Sequence, residues 1–203
     1  MYKMKTEGME RQEHILEAAI KRFSHFGIQK TTLTEVADDL SMSKQSLHYY
    51  FPDKQSLITA VEEKIKTEYI EDMRKEISGE PSVEAALLKM IEVRQKFFLK
   101  YYMLAEQVRG NEGLIPSTSV ADVKKKLNER ELVILVELFQ KGATSGELKP
   151  FDVEKTAGLL LDTLTAFSHC INEKKGLPEP QDFQAVFQKQ KDVLHLFYNG
   201  LKQ

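Results

Sequence analysis

From Ser43 to Phe51 the chain reads Ser-Lys-Gln-Ser-Leu-His-Tyr-Tyr-Phe, with no acidic residue among the nine. On a helix, Leu47 and Tyr50 share one side with Phe51 behind them, and Lys44, Gln45, Ser46, His48 and Tyr49 point outward. That outward set has a definite chemistry. A glutamine carboxamide pairs twice with the edge of an adenine, and an ammonium reaches guanine acceptors or a phosphate. Hydroxyl groups and the free amides of a helix start, here at Ser43, suit phosphate oxygens. The row offers base reading and backbone holding together, and nothing in it repels a polyanion.

Such a row works only if neighbouring elements hold it in place. Thr32 stands three residues before Glu35, the spacing of a capping box, and Leu33, Val36, Ala37 and Leu40 continue as an apolar face. Ser41-Met42-Ser43 then interrupts that helix; Met42 fits the space between two helices, and Ser43 is a good N-cap for the next, over residues 44–50. Pro52 disfavours helical geometry in Phe51, and Asp53 caps the helix after it. Upstream, residues 9–26 carry Leu16, Ala19, Ile20 and Phe23 at helical spacing, ended by Gly27. Two short helices joined by a tight turn form a helix-turn-helix, which places its second helix in the major groove of DNA. The same pattern would also serve a three-helix bundle that binds nothing; three caps, a turn and an acid-free outer face together favour the reading head.

The segment resembles the DNA-binding domain of the TetR (tetracycline-repressor) family of one-component transcription regulators. The resemblance lies in residues 15–20, Phe23, Phe26-Gly27, Thr31-Thr32, Val36-Ala37, Ser43 and the run from Tyr50 to Leu57. Beyond these residues only the helical architecture and an echo at Gly142, Gly146 and Glu147 continue it. It implies groove-facing roles for Lys44, Gln45, Ser46 and Tyr49, and contacts to the DNA backbone from Thr32, His48 and Lys54. His48 departs from the family pattern, which usually has tyrosine there.

The 203 residues allow one large or two small domains, and 41% hydrophobic with 30% charged residues fits a globular chain. The net charge is −2, and in the first 54 residues eight basic side chains meet eight acidic ones. Nucleic-acid binding therefore rests on how charge is distributed, and non-specific affinity is expected to be modest. Cys170 is the only cysteine, so neither an intrachain disulfide nor a cysteine-based zinc site is available. The N-terminus lacks the apolar run of a signal peptide, and no stretch approaches the ~18 apolar residues of a membrane span. A cytoplasmic protein without membrane partners is expected. The five histidines show no close metal-ligand spacing, and there is no glycine-rich phosphate loop or nucleophile elbow. No enzyme, metal or cofactor is expected.

The remainder reads as helix, giving an all-α fold: a head at 1–53 and a larger effector-binding and dimerisation body at 54–203. A long helix runs from residue 54 to about 77 and belongs to both parts. Ser82 opens another, with Val83, Leu87, Met90, Ile91, Phe98, Tyr101 and Tyr102 on one broad face. A loop is expected at 110–116, then a helix over 118–141 in which residues 132–139, apolar almost all round, are centrally buried. A turn is expected at 142–150, and after it a final helix pair over 152–174 and 181–201.

That last pair carries Leu160, Leu164 and Phe167, then Phe183, Phe187, Leu194, Phe197 and Leu201. These form either half of a four-helix bundle with a second copy or the closing layer of the chain's own core. A homodimer would place two heads about one DNA turn apart, on a pseudo-palindromic operator. Phe97, Phe98, Tyr101 and Tyr102 form a dense aromatic run that Phe139, Phe167 and His169 could face, a candidate small-molecule effector site. Arg94 lies on the same apolar face and needs a partner: an anionic ligand, an internal acid such as Glu106 or Glu131, or solvent. The function expected is a dimeric DNA-binding repressor released by a small molecule. The alternative is a helical carrier of an apolar molecule whose head no longer reads DNA.

Overall fold

The computed structural model describes the backbone of residues 2–109, 120–172 and 180–203, and side chains over 8–104, 106–107, 125–167 and 181–203. The loop expected at 110–116 and the side chains of Lys124, His169 and Cys170 lie outside the described residues. Among the described residues are eight α-helices: α1 (Tyr2–Phe26), α2 (Leu33–Asp39), α3 (Lys44–Tyr50), α4 (Lys54–Ser78), α5 (Val83–Arg109), α6 (Val120–Ser145), α7 (Val153–Asn172) and α8 (Pro180–Leu201). A single isolated bridge, Leu148 to Lys202, is the only extended pairing among them.

Two compact units emerge, Met1–Glu68 with Phe98–Lys125, and Tyr69–Phe97 with Lys126–Gln203. The division falls inside α4 and α5, not at residue 53. The reason is visible in the first unit's core. Leu57, Ile58 and Val61 of α4 and Leu104 of α5 are buried with Ile15, Ala19 and Phe23 of α1, Val36 and Ala37 of α2, and Leu47 of α3. Ile15 is fully buried, whereas Ile20 is only partly so, a turn of α1 relative to the face expected from spacing. Gly27 ends α1 at φ 88°, where its amide bonds the Phe23 carbonyl at 3.1 Å.

In the second unit α6 runs to Ser145, so the turn begins at Gly146 (φ 78°) and not at Gly142. Gly142 lies inside the helix because Val83 and Leu148 close over it; a Cβ there would stand 2.6 Å from Val83 Cγ2 and 2.8 Å from Leu148 Cδ1. Glu147, just past the turn, accepts the Val83 amide at 2.8 and 3.0 Å and so caps the start of α5. These contacts supply a physical reason for the glycines and acid noticed in the sequence.

One further expectation is corrected. Residues 132–139 are not buried all round: Ile134, Leu135 and Phe139 are, but Val133 is 50% exposed and Glu137 faces solvent. The apolar run is wider than the stripe that packing uses. On α7 and α8, Leu160, Leu164, Phe183, Phe187 and Leu194 are buried within the single chain, where the two helices pack on each other. These five belong to the chain's own core. Phe167, Phe197 and Leu201 are half-buried, while Leu159 (52%) and Leu196 (72%) are the large apolar side chains these helices expose.

Candidate nucleic-acid interface

Every cap read from the sequence around α2 and α3 is present. The Glu35 amide donates to Thr32 Oγ1 at 3.2 Å, and the Thr32 amide donates back to Glu35 Oε2 at 2.7 Å. Those bonds, the backbone one first, hold the Glu35 carboxyl below its ordinary range. The turn comes at Ser41, whose φ of 51° reverses the chain, and Met42 packs partly buried against the core beneath. The Ser46 amide then donates to Ser43 Oγ at 3.0 Å and starts α3. After Phe51, Asp53 Oδ1 accepts the Ser56 amide at 2.7 Å and starts α4. Leu47 (0% exposed) and Phe51 (3%) anchor the inner side of α3.

The outer side carries Ser43, Lys44, Gln45, Ser46 and Tyr49, all exposed, with Tyr49 at 84%. The Tyr49 ring stands edge-on to Tyr50, centroids 5.3 Å apart, which steadies its direction. Ser43 and Ser46 hydroxyls bond each other at 2.7 Å, so each has capacity for one further contact. His48 Nδ1 lies 3.0 Å from the Pro52 carbonyl. A carbonyl only accepts, so Nδ1 carries the proton and Nε2 is left for a contact elsewhere. Lys54 Nζ donates to the Gln29 carbonyl at 3.0 Å, which ties α4 to the segment before α2; two of its three donors remain. Burial lowers the Lys54 ammonium from its ordinary value.

One positioning group has no local sequence signal. Arg22 of α1 grips Asp39 of α2 with Nε (2.5 Å) and Nη2 (2.9 Å), and lies 3.5 Å from Glu35. The two partners lie too far apart in the chain for helical spacing to pair them. The hydrogen bond to Arg22 holds the Asp39 carboxyl below its ordinary range. It also neutralises acids beside the reading helix, which favours a polyanion approaching α3.

Residues 15–61 match the model of the bacterial regulatory proteins of the tetR family. That stretch is similar to the family's DNA-binding head. Among relatives, the HTH-type transcriptional regulator YhgD of Bacillus subtilis (strain 168) is 28% identical over 157 residues, 75% of this chain and 80% of that one. The regulator RutR of Escherichia coli (strain K12) is 25% identical over 145 residues, 70% of this chain and 66% of that one. Among solved structures, a transcriptional regulator from Cytophaga hutchinsonii superposes with a TM-score of 0.81 at 27% identity, covering 95% of this chain and 99% of that chain. These relatives are transcription regulators. The tetR-type head thus accounts for the caps, the turn and the acid-free outer row, and the fold match extends through the rest of the chain.

The expected effector residues are distributed over both units. Phe97 is buried in the second unit, its ring edge-on to Tyr69 with centroids 5.1 Å apart. Phe139, in the same unit, meets Phe151 at 5.6 Å. Phe98, Tyr101 and Tyr102 belong to the first unit, where Phe98 and Tyr102 lie 5.7 Å apart and Tyr101 donates to Glu68 at 2.7 Å. Phe167 is half-buried on α7, and the side chain of His169 is outside the described residues. Arg94 donates to Glu131, one of its two candidate internal acids, and Tyr69 donates to the same carboxylate. Tyr69 carries no comparable signal in the sequence; its four-residue offset from Met73 marks it only as a core position.

Proposed function

We propose that the chain is a repressor that acts as a homodimer on a pseudo-palindromic operator in the cytoplasm and lets go when a small molecule binds its body. Residues 1–53 would read the DNA and residues 54–203 would bind effector and partner. One observation carries this reading: an exposed row of Lys44, Gln45 and Tyr49 on a helix fixed at its start by Ser43 and beneath by Leu47 and Phe51. Within this reading, Lys44, Gln45, Ser46 and Tyr49 meet base edges, while Thr32, Ser43, His48 and Lys54 hold phosphates. Rigid placement is what separates a reading helix from an exposed polar helix, because base contacts tolerate little misplacement. Effector must bind the DNA-free state more tightly than the DNA-bound one, or it releases nothing. Exposed Leu159 and Leu196 are where α7 and α8 still offer apolar surface for a second copy.

The test is transcription in vitro from the promoter next to the chain's own gene. Purified protein is expected to block it in a dose-dependent way, and a Gln45→Ala, Tyr49→Ala double variant is expected not to. Blocking of unrelated promoters at the same doses, or full activity of the double variant, would remove the proposal. Specific binding without blocking would favour an activator.

A further inference from the structure

His48 lies half-buried in the last turn of α3, with its ring tied to the chain's own backbone. Nδ1 stands 3.0 Å from the Pro52 carbonyl, the only hydrogen bond of the ring among the described residues. A carbonyl only accepts, so the neutral ring keeps its proton on Nδ1 and shows a lone pair at Nε2. Phosphate oxygens also only accept, so the neutral ring has no donor to offer them. Shifting the proton to Nε2 would leave two acceptors facing each other at Pro52. A second proton resolves this without moving the ring: Nδ1–H keeps Pro52, and Nε2–H becomes a charged donor. The surrounding elements supply no fixed counter-charge. Lys44, one turn back on α3, opposes a second cation. At the start of α4, Asp53 Oδ1 takes the Ser56 amide and Lys54 Nζ takes the Gln29 carbonyl. Glu35, Asp38 and Asp39 of α2 act on Arg22 of α1. No carboxylate forms an ion pair with His48 among the described residues.

We propose that each head takes up a proton at His48 when it binds DNA, so that acid tightens its hold on the phosphate backbone and alkali loosens it. The proposal rests on the DNA-reading function above and adds the proton as a second input to it. A phosphate oxygen at Nε2 supplies the counter-charge that the free head lacks, and it screens the repulsion from Lys44. DNA thus favours the protonated ring. The contribution is complete below the range in which imidazole titrates, about pH 5 to 8, and is lost as pH rises through it. The tyrosine usual at this place in the tetR family keeps its hydroxyl proton throughout that range. Histidine makes the same contact conditional. Because the contact is to phosphate, the gain is the same on every sequence. A hydrogen bond from a charged donor corresponds to about tenfold in affinity per head. One more phosphate neutralised steepens the slope of log affinity against log salt by about one per head.

The experiment uses the full chain and two labelled duplexes, one from the region upstream of its own gene and one of unrelated sequence. Fluorescence anisotropy reads affinity at several salt concentrations, from about pH 5.5 to about pH 8. Wild type is expected to bind both duplexes about tenfold more tightly per head at the acid end, with a salt slope steeper by about one per head. His48→Phe keeps a ring without nitrogens and is expected to lose that gain. His48→Tyr keeps a donor at every pH; it is expected to show no acid gain and to bind more tightly than wild type at the alkaline end. The wild-type salt slopes stand even if a variant folds poorly. An acid gain that persists in His48→Phe, a gain confined to one of the two sequences, or a salt slope indifferent to pH overturns the proposal. DNA binding that ignores pH removes this inference and leaves the regulator reading. Failure to bind either duplex at any pH, even at low salt, removes both.

Discussion

In the proposed reading Gln45 and Lys54 do different work at the interface, and their substitution separates the two. Gln45 is exposed in the first turn of α3, where it can address a base edge. Gln45→Ala is expected to cost ~1–3 kcal/mol on the preferred base at one operator position and nothing on unrelated DNA. Competition binding against a set of single-base operator variants measures this. Lys54→Ala is expected to weaken binding to all sequences alike and to reduce the slope of log affinity against log salt by about one. A salt titration by fluorescence anisotropy reads that slope. Tyr101 gives a pH signature in the first unit. Burial, and then its hydrogen bond to the Glu68 carboxylate, hold its phenol up at about 12. A raised value favours the protonated form in the fold, so this contribution to stability is intact below the ordinary tyrosine range and is lost as pH rises through about 12. Near-ultraviolet absorbance titration is expected to show a late-ionising tyrosine that Tyr101→Phe removes.

At the scale of elements, the caps and the glycine contacts decide where helices begin and end. Gly142→Ala places a methyl 2.6 Å from Val83 Cγ2 and 2.8 Å from Leu148 Cδ1, and both side chains belong to the buried core. Overpacking of this kind costs about 1–3 kcal/mol, which urea denaturation measures; unchanged stability would mean Leu148 can withdraw freely. The elements near the N-terminus were legible because their signals are local. Thr32 with Glu35, Ser43 with Ser46 and Asp53 with Ser56 each act within three residues. The contacts that escaped sequence reading are non-local. Arg22 on Asp39, Lys54 on the Gln29 carbonyl and Glu147 on the Val83 amide join residues that no helical period pairs. What covers α7 and α8 is hard to read from sequence for a related reason. An apolar stripe states that a helix face is covered, but Leu160 and Phe187 carry no mark of whether their own chain or a second copy covers it.

For the molecule as a whole, the net charge of −2 places a demand on DNA binding that a strongly basic protein would escape. Affinity cannot come from charge in bulk; in the proposed reading it comes from a correctly placed α3 and from two copies acting together. No helix among the described residues is long and apolar enough to cross a membrane, and the fold match to the Cytophaga hutchinsonii regulator covers 95% of the chain. The proposed two-fold pairing of heads would set a geometric signature on DNA. The most direct measurement is hydroxyl-radical footprinting of the region upstream of the chain's own gene, at moderate salt. Two protected patches of related inverted sequence, separated by about one helical turn or a multiple of it, are expected. Protection that is absent, or a single unpaired patch unaffected by Gln45→Ala, would contradict the account.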